Sequence, residues 1–582
     1  MTRIHNVPDD FVDEMIEGFV AANADRVMQV RGGVVRSTKV TEGEVALVIG
    51  GGSGHYPTFC GFVGPGLAHG AAMGNLFASP SAQQIYSVAK NAHHDGGVIF
   101  SFGNYAGDTL HFGHAAEELQ KEGIDCRIVK VTDDVYSASI SEKSKRRGIA
   151  GDFTVFKVAG ASAARGDSLD EVTRLAEKAN EHTRSIGVAF SGCYLPGADE
   201  PLFDVPKGRM EVGMGIHGEP GINEIDTPTA DELAALMVEA VLAKQEWPAG
   251  ISTEKGARIV VMLNGLGSVK YEELFVVYRK VNMLLKERGI VIVEPEVGEL
   301  VTSFDMAGVS LTVFWLDDEL EALWSAPASA PGYKKGSGIE SERLTADEMA
   351  RNNESSAALN PGSLPSQQLA AFILAKLRIL AETINLNAEL LGKIDAVAGD
   401  GDHGIGMNRG IQAAVRAAEL ALDKGAGAGS LLQIAGDAWS DRAGGTSGAL
   451  WGAALSSAGA RIGDEAAPDL NTMISTVRDS TDAILKFGAQ VGDKTMVDAL
   501  VPFSKVFSES KDHGGTLSDI WLAASSAATE AALGTASLLP KVGRARPHAE
   551  KSLGTPDAGA VSFAILVEAA TSDEPLRSHP FN

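Results

Sequence analysis

Only three cysteines occur in 582 residues: Cys60, Cys126 and Cys193. Odd in number and far apart, they exclude a disulfide framework and a zinc-type ligand spacing. No run of about 18 apolar residues occurs, and Met1-Thr2-Arg3-Ile4-His5-Asn6 has no charged-then-apolar signal region. The cytoplasm is therefore the expected location, and a membrane is not an expected partner. Positive charge is scarce as well, with 50 Lys+Arg against 76 Asp+Glu and a net charge of −26. So acidic a surface argues against nucleic acid or anionic lipid as partner, although a local basic group can still hold a phosphate. The chain also lacks a G-x-x-x-x-G-K-[ST] loop, a protein-kinase catalytic-loop motif and any internal repeat between its halves.

What remains is an ordinary soluble globular composition, 44% hydrophobic and 22% charged, too long for one core. The 66 glycines fall at strand ends and in compact clusters, where turns and close ligand approach use them. Residues 1–325 read as α/β. Short β-rich runs such as Val45–Ile49, Gly97–Phe100, Arg127–Val131, Ser185–Phe190, Arg258–Leu263 and Ile290–Val293 alternate with helical segments. That order predicts mostly parallel sheet with crossover helices, in two sub-domains that change over near residues 201–219. Residues 326–365, rich in Pro, Ala, Gly and Ser, read as a linker. Residues 366–582 have helical periodicity throughout and predict an all-α bundle.

The helical half carries an unusual charge cluster. Asp395, Asp400 and Asp402 fall within eight residues, in Ile394-Asp395-Ala396-Val397-Ala398-Gly399-Asp400-Gly401-Asp402-His403-Gly404. Carboxylates this close repel, and a fold tolerates them chiefly around a cation. Oxygen ligands without cysteine suit a hard ion such as Mg2+ or Ca2+, and Mg2+ commonly completes its shell with substrate phosphates. A solvated turn with an Asp N-cap is the plain alternative; an EF-hand fails for want of its later ligands. Gly444-Gly445-Thr446-Ser447-Gly448 precedes an Ala-rich helix, as an anion-binding N-terminus does, though close helix packing also uses glycine. Arg544 and Arg546 make a locally basic loop followed by Gly554-Thr555-Pro556-Asp557. Together these predict a nucleotide and Mg2+ site at one end of the bundle.

In the α/β half, Gly50-Gly51-Gly52-Ser53-Gly54-His55 follows the first buried strand directly. Asn104-Tyr105-Ala106-Gly107-Asp108 follows another, and His217 lies among glycines in Gly213–Gly221. Carboxyl ends of parallel strands are where such sheets bind ligands. A single histidine would be unremarkable, but two in glycine-walled loops with an aspartate at a third strand end point to a site.

Gly-Gly-Gly-Ser-Gly-His at 50–55, Asn-Tyr-Ala-Gly-Asp at 104–108, Gly-Ile-His-Gly-Glu-Pro-Gly at 215–221 and Gly-Asp-Gly-Asp-His-Gly at 399–404 together resemble the dihydroxyacetone kinase family, in its fused single-chain form. The resemblance implies an ATP-dependent kinase of a short ketose such as dihydroxyacetone or erythrulose. His217 would hold the ketone as a hemiaminal, with His55 and Asp108 polarising or deprotonating the accepting hydroxyl. Gly52, Ser53, Gly54, Tyr56 and Gly103 would surround the ketose. Asp395, Asp400 and Asp402 would bind two Mg2+ ions. Gly445, Thr446, Ser447 and Gly448 would bind the ATP phosphates, with His403, Asp557 and the lid arginine Arg544 beside them. The resemblance also implies a homodimer in which one chain's nucleotide domain serves the other chain's ketose site. Two departures bear on the substrate: Tyr56 stands where the family commonly has Glu, and Gly103 where it commonly has Lys. A ketose-sensing regulator and a flavin-nucleotide cyclising lyase are the competing readings.

Overall fold

The computed structural model describes residues 4–219, 221–336, 359–397, 401–443, 445–509, 516–541, 550–577 and 580–581. The chain divides into two compact units, residues 1–342 and 343–582.

The first unit holds two sheets. In the first, β1 (Val27–Val30), β2 (Gly33–Arg36), β3 (Ala46–Gly52), β4 (Gly70–Gly74), β5 (Val98–Gly103) and β6 (Cys126–Val131) lie in the order β1-β2-β4-β3-β5-β6. The stretch β4-β3-β5-β6 is parallel, and β3 and β5 are buried along their whole length. Strands covered on both faces need such unbroken apolar and glycine runs. Helices α1 (Phe11–Ala22), α2 (Ala82–Ala92), α3 (Ala106–Lys121), α4 (Asp152–Arg165) and α5 (Leu169–Glu181) surround it. α2 begins on a capping box: the Ser81 hydroxyl accepts from the Gln84 N–H, and the Gln84 side chain accepts from the Ser81 N–H.

The second sheet comprises β7 (Thr183–Ala189), β8 (Arg209–Val212), β9 (Asn223–Asp226), β10 (Arg258–Gly265), β11 (Val291–Ile292), β12 (Glu296–Gly298) and β13 (Gly308–Leu316). Its order is β11-β10-β13-β7-β8-β9, with β12 also on β10. Helices α6 (Ala230–Val241), α7 (Tyr271–Glu287) and α8 (Asp318–Trp324) complete the unit. β10 pairs parallel with β11 and β12 across the α7 crossover. β13 runs antiparallel to β10 and β7, because the connection 299–307 holds no helix to return the chain. The α/β reading is borne out, with the parallel core in β4-β3-β5-β6; the change of sheet comes at β7, ahead of residues 201–219.

One boundary shifts. Residues 326–336, expected in the linker, instead form a hairpin of β14 (Ala328–Ser329) and β15 (Lys334–Lys335). Ala328, Ala330 and Tyr333 are buried in the first sheet's core. The Gly332 N–H bonds the Gly61 carbonyl at 2.8 Å. A composition typical of linkers here anchors the end of the α/β unit by burying small side chains and one aromatic ring.

The second unit is helical: α9 (Leu364–Asp395), α10 (His403–Asp423), α11 (Ala428–Ala443), α12 (Gly445–Ile462), α13 (Leu470–Leu485), α14 (Val497–Glu509), α15 (Leu517–Gly534) and α16 (Ala558–Ala569). Core side chains of α9, α10 and α11 pack with Val561, Ile565 and Leu566 of α16. α14, α15 and the opposite face of α16 share a second core. The helices approach closely through glycine. A β-carbon at Gly404 would run into the Ala388 carbonyl of α9, and one at Gly452 would sit 2.8 Å from the Ser440 β-carbon of α11.

Gly404→Ala should therefore lower stability by about 1–3 kcal/mol, because backbone must move to admit the methyl group. Gly18→Ala, in α1 with nothing within 4 Å of its new β-carbon, should raise stability by about 0.5–1 kcal/mol. Thermal unfolding midpoints of the two variants should move in opposite directions.

Candidate active site

β3 and β5 are parallel neighbours in register, Ala46 opposite Val98 and Ile49 opposite Ser101. Their carboxyl ends thus open on the same edge. β3 runs straight into the turn Ser53–His55, and β5 leads through Asn104 and Tyr105 into α3, whose first turn carries Asp108. The glycines of the first turn permit close backbone packing. The Gly54 N–H bonds the Leu76 carbonyl at 2.8 Å, and a β-carbon on Gly54 would lie 2.8 Å from that same oxygen. His217 arrives from the other sheet, on the loop joining β8 to β9.

The two histidines meet. His55 Nε2 lies 3.0 Å from His217 Nε2. The Thr302 carbonyl, 2.6 Å from His55 Nδ1, can only accept, so His55 carries its hydrogen on Nδ1 and turns a lone pair towards His217. Glu219 Oε1 sits 3.1 Å from His217 Nδ1, and Oε2 accepts from the His217 backbone N–H at 3.0 Å. Both ring nitrogens of His217 thus face acceptors, the His55 lone pair on one side and the Glu219 carboxylate on the other. Burial, then the charge on His217, pushes His55 down to about 3, so His55 stays neutral. Burial raises Glu219, but its bond to His217 and the charge there overcome that and hold it at about 2.

Tyr105, Phe77 and Asp108 complete the surroundings. The Tyr105 ring stands edge-on to His217 at 4.5 Å, and Phe77 at 5.7 Å. Asp108 is 7% exposed, and its Oδ1 has no hydrogen-bond partner. Burial raises its carboxyl to about 6, against the Ser79 hydroxyl bond and the charge of His217, which lower it. An unpaired, buried carboxylate that titrates near neutrality is suited to accept a proton from a hydroxyl.

The remaining α/β positions separate. Ser53 is buried, and its Oγ is without a partner. Gly52 ends β3 against the Leu76 carbonyl. Tyr56 is 46% exposed and lines a cleft of about 460 Å3 with Phe11, Phe19, Ser53, Glu299 and Phe304. Beside Gly103 there is no open volume: a β-carbon there would lie 3.0 Å from the Tyr105 ring and 3.2 Å from the Gly148 oxygen. Sequence reasoning passed over Glu219, Tyr105, Phe77, Ser79 and Thr302. The first two stand inside motifs already singled out; Thr302 acts through its carbonyl, which leaves no side-chain signal.

In the helical unit, Asp395 ends α9 and Asp402 precedes α10, so both carboxylates belong to one interhelical turn. Asp395 Oδ2 accepts from the Gly401 N–H at 2.8 Å, and Gly401 holds φ +77°, a backbone that favours glycine. Asp402 is exposed. Asp400 and Arg544 lie outside the described residues. His403 lies between two hydroxyls, Ser562 Oγ at 3.0 Å from Nε2 and Ser447 Oγ at 3.3 Å from Nδ1. It ties the first turn of α12, where Gly445, Thr446, Ser447 and Gly448 lie, to α16. Gly448 also packs, its β-carbon position 3.0 Å from the Ser440 oxygen. Asp557 caps α16 by accepting from the Ala560 N–H at 2.8 Å. Burial, reinforced by Asp498, raises its carboxyl to about 7. Two oxygen donors on one turn facing a helix N-terminus fit a hard cation and a phosphate chain.

The fold and site define an α/β unit with a pocket of two histidines and buried carboxyls, followed in the chain by a helical unit whose aspartates cluster on one interhelical turn. The Dak1 domain family matches residues 17–332, and the DAK2 domain family matches residues 397–572. The chain is 57% identical to an L-erythrulose kinase of Pectobacterium atrosepticum, over 98% of this chain and 96% of that one. It is 53% identical to a D-erythrulose kinase of Mycolicibacterium smegmatis, over 97% of each. The dihydroxyacetone kinase of C. freundii, solved with AMP-PNP and Mg2+, superposes with a TM-score of 0.58 at 28% identity, covering 98% of this chain and 99% of that one. The chain belongs to the dihydroxyacetone kinase family.

As a base, Asp108 would work only while ionised. With its carboxyl raised to about 6, kcat/KM for a ketose should fall as pH drops through 6, about tenfold per unit below it. Ser79→Ala, which removes a bond favouring the ionised form, should move that midpoint upward. A pH–rate profile of both proteins checks the sign.

Proposed function

We propose that this protein is an ATP- and Mg2+-dependent kinase that phosphorylates a terminal hydroxyl of a ketotetrose of the erythrulose type, held covalently by His217. The geometry that carries the chemistry is the line Thr302–His55–His217–Glu219, with the unpaired oxygen of Asp108 beside it. What favours a four-carbon acceptor is identity above 50% over nearly the full length of both erythrulose kinases.

An entering ketone breaks the bond between the two imidazoles. His217 passes its Nε2 proton to the facing Nε2 of His55 and keeps its Nδ1 hydrogen bonded to Glu219, which leaves its own Nε2 lone pair free. The Nε2–C bond forms as the carbonyl π pair moves onto oxygen, and that oxygen takes the proton back from His55. The covalent link holds the sugar in one orientation, and a polyol, having no carbonyl, is refused. Asp108 then accepts the proton of the terminal hydroxyl as its oxygen attacks the γ-phosphorus of ATP and ADP departs. Such a transfer asks little covalent help of a protein; positioning and charge neutralisation carry the rate.

Asp395 and Asp402, with Asp400, would hold two Mg2+ ions, whose chemistry when bound is to neutralise the phosphate oxygens. Gly445, Thr446, Ser447 and Gly448 offer backbone and hydroxyl donors to the phosphates, with Arg544, His403 and Asp557 around them. We place the enzyme in the cytoplasm as a homodimer, one chain's nucleotide domain serving the other's ketose site. No described helix is long and apolar enough to cross a membrane. A sensor without turnover would have no use for the metal and phosphate groups. A flavin-nucleotide lyase would need none of the His217 pocket.

The deciding experiment measures ADP release with dihydroxyacetone, D-erythrulose, L-erythrulose, a polyol and no acceptor. Erythrulose should give the highest kcat/KM and the polyol no rate above background; a clear preference for dihydroxyacetone would end the ketotetrose reading. Asp402→Asn should lower kcat by about 100-fold or more, as expected when charge stabilisation of transferring phosphate is lost. His217→Ala should raise KM more than it lowers kcat. Mixing these two variants at a ketose concentration too low for His217→Ala to turn over, under conditions that exchange subunits, should restore part of the activity if sites are shared between chains, and none if each chain works alone.

A further inference from the structure

Asp152, which has no part in the mechanism above, opens α4 just after the loop that leaves β6. It is 1% exposed, and its Oδ1 has no hydrogen-bond partner. Two other buried polar atoms of the ketose site share that condition, Ser53 Oγ and Asp108 Oδ1. Buried carboxyl oxygens are nearly always paired, and an orphan next to a binding site is a mark of a partner that arrives with the ligand.

The surroundings of Asp152 lead directly to His217. Its Oδ1 lies 2.9 Å from the position a β-carbon would take on Gly148, and that same β-carbon would be 2.5 Å from the Gly103 Cα. The Gly148 carbonyl accepts from the Tyr105 hydroxyl at 2.9 Å, and the Tyr105 ring stands against His217. Two bare glycine backbones and one aromatic ring thus connect the carboxyl with the imidazole that takes the ketone. No carboxylate nearby absorbs it: both oxygens of Asp133 are engaged, by the N–H groups of Ile149 and Gly151 at 2.8 Å each.

Burial, then the charges of Asp133 and Asp108, drives the Asp152 carboxyl well above the usual carboxylate range. An uncharged carboxyl offers one O–H donor and one carbonyl acceptor, the complement of an alcohol rather than of a cation or a phosphate.

We propose that Asp152 is a substrate-binding residue of the ketose site, and that its carboxyl takes the hydroxyl which a ketotetrose carries and dihydroxyacetone lacks. This deepens the ketotetrose reading and rests on it. A site with a buried polar group awaiting a hydroxyl discriminates strongly against ligands without one. It also gives Gly103 a purpose, since a β-carbon there would press on the Tyr105 ring at 3.0 Å, between Asp152 and His217.

The test is the selectivity ratio, kcat/KM for the better erythrulose enantiomer divided by that for dihydroxyacetone, in wild type, Asp152→Asn and Asp152→Leu. Both substrates are read on the same active molecules, so loss of folded protein leaves the ratio untouched. Asn keeps a donor and an acceptor and should hold the ratio within about threefold, whereas Leu should lower it about tenfold or more, near the worth of one hydrogen bond. Should the Leu variant prove insoluble, Asp152→Thr, with a shorter polar group, should lower the ratio in the same direction. An unchanged ratio in the Leu or Thr variant, or equal losses on both substrates, overturns the proposal. The wild-type preference alone judges the ketotetrose reading, so the two can fail separately.

Discussion

The bond between the imidazoles of His55 and His217 is the constraint on which the α/β unit turns. The two rings come from different sheets, and nothing in either sheet brings them together. A third element does so, the connection between β12 and β13. The Thr302 carbonyl fixes the His55 ring, and the Thr302 hydroxyl donates to the Tyr56 carbonyl at 2.9 Å. The Phe304 N–H reaches the Gly54 carbonyl at 2.8 Å. Ser303 Oγ donates to the Ile216 carbonyl at 2.5 Å, one residue before His217. Residues 302–304 therefore clasp both histidine loops, and Phe304 takes a positive φ of 55° in doing so. A non-glycine residue in that region is held there only by surroundings that over-determine it.

Charge in the pocket is arranged in layers. Glu219 is held as an anion by its bond to His217, whose ring stands between that carboxylate and His55. Behind Glu219, Arg147 bonds Asp134 through Nε at 3.0 Å and the Gly213 carbonyl at 2.9 Å, which anchors the glycine loop carrying His217. The carboxyls of Asp108 and Asp152 are buried without such a close partner. At Asp108 burial outweighs the Ser79 bond and the charge of His217, at Asp152 nothing opposes it, and both are raised while Glu219 is lowered. The same side-chain type serves as a permanent anion on one wall and as a proton acceptor or hydroxyl partner on the other.

Much of this was legible in the sequence, for a physical reason. His55 and Asp108 follow the carboxyl ends of β3 and β5, His217 lies in a glycine-bounded loop, and glycine leaves a trace that spacing alone exposes. Asp395 and Asp402 were legible because like charges crowd. The residues that could not be read are those that act through backbone. Thr302 contributes a carbonyl, which any residue possesses, and it lies 247 positions from the ring it orients. The hairpin at 328–335 was hidden by composition: Pro, Ala, Gly and Ser describe a linker equally well, and only the burial of Tyr333 and Ala330 distinguishes the two. Glycine itself is ambiguous. Gly448 was read as a phosphate-approach residue, yet its bare face meets Ser440 of α11, and a packing glycine leaves the same trace in sequence as a ligand-approach one.

The orphaned oxygens show where the fold gives up stability. A buried polar group without a partner costs about 1–3 kcal/mol, and Ser53, Asp108 and Asp152 each carry one at loops leaving the carboxyl ends of three adjacent strands, β3, β5 and β6. Elsewhere in the unit a buried charge can be paired through every arm: Arg146 forks onto Glu246 at 2.7 and 2.9 Å and donates Nε–H to the Ala138 carbonyl. A fold that pairs a fully buried arginine through three bonds can close off a serine or a carboxyl as well. Under the proposed function, a polyhydroxylated ligand would supply the missing partners of these three groups, and binding would then recover what folding left unmade.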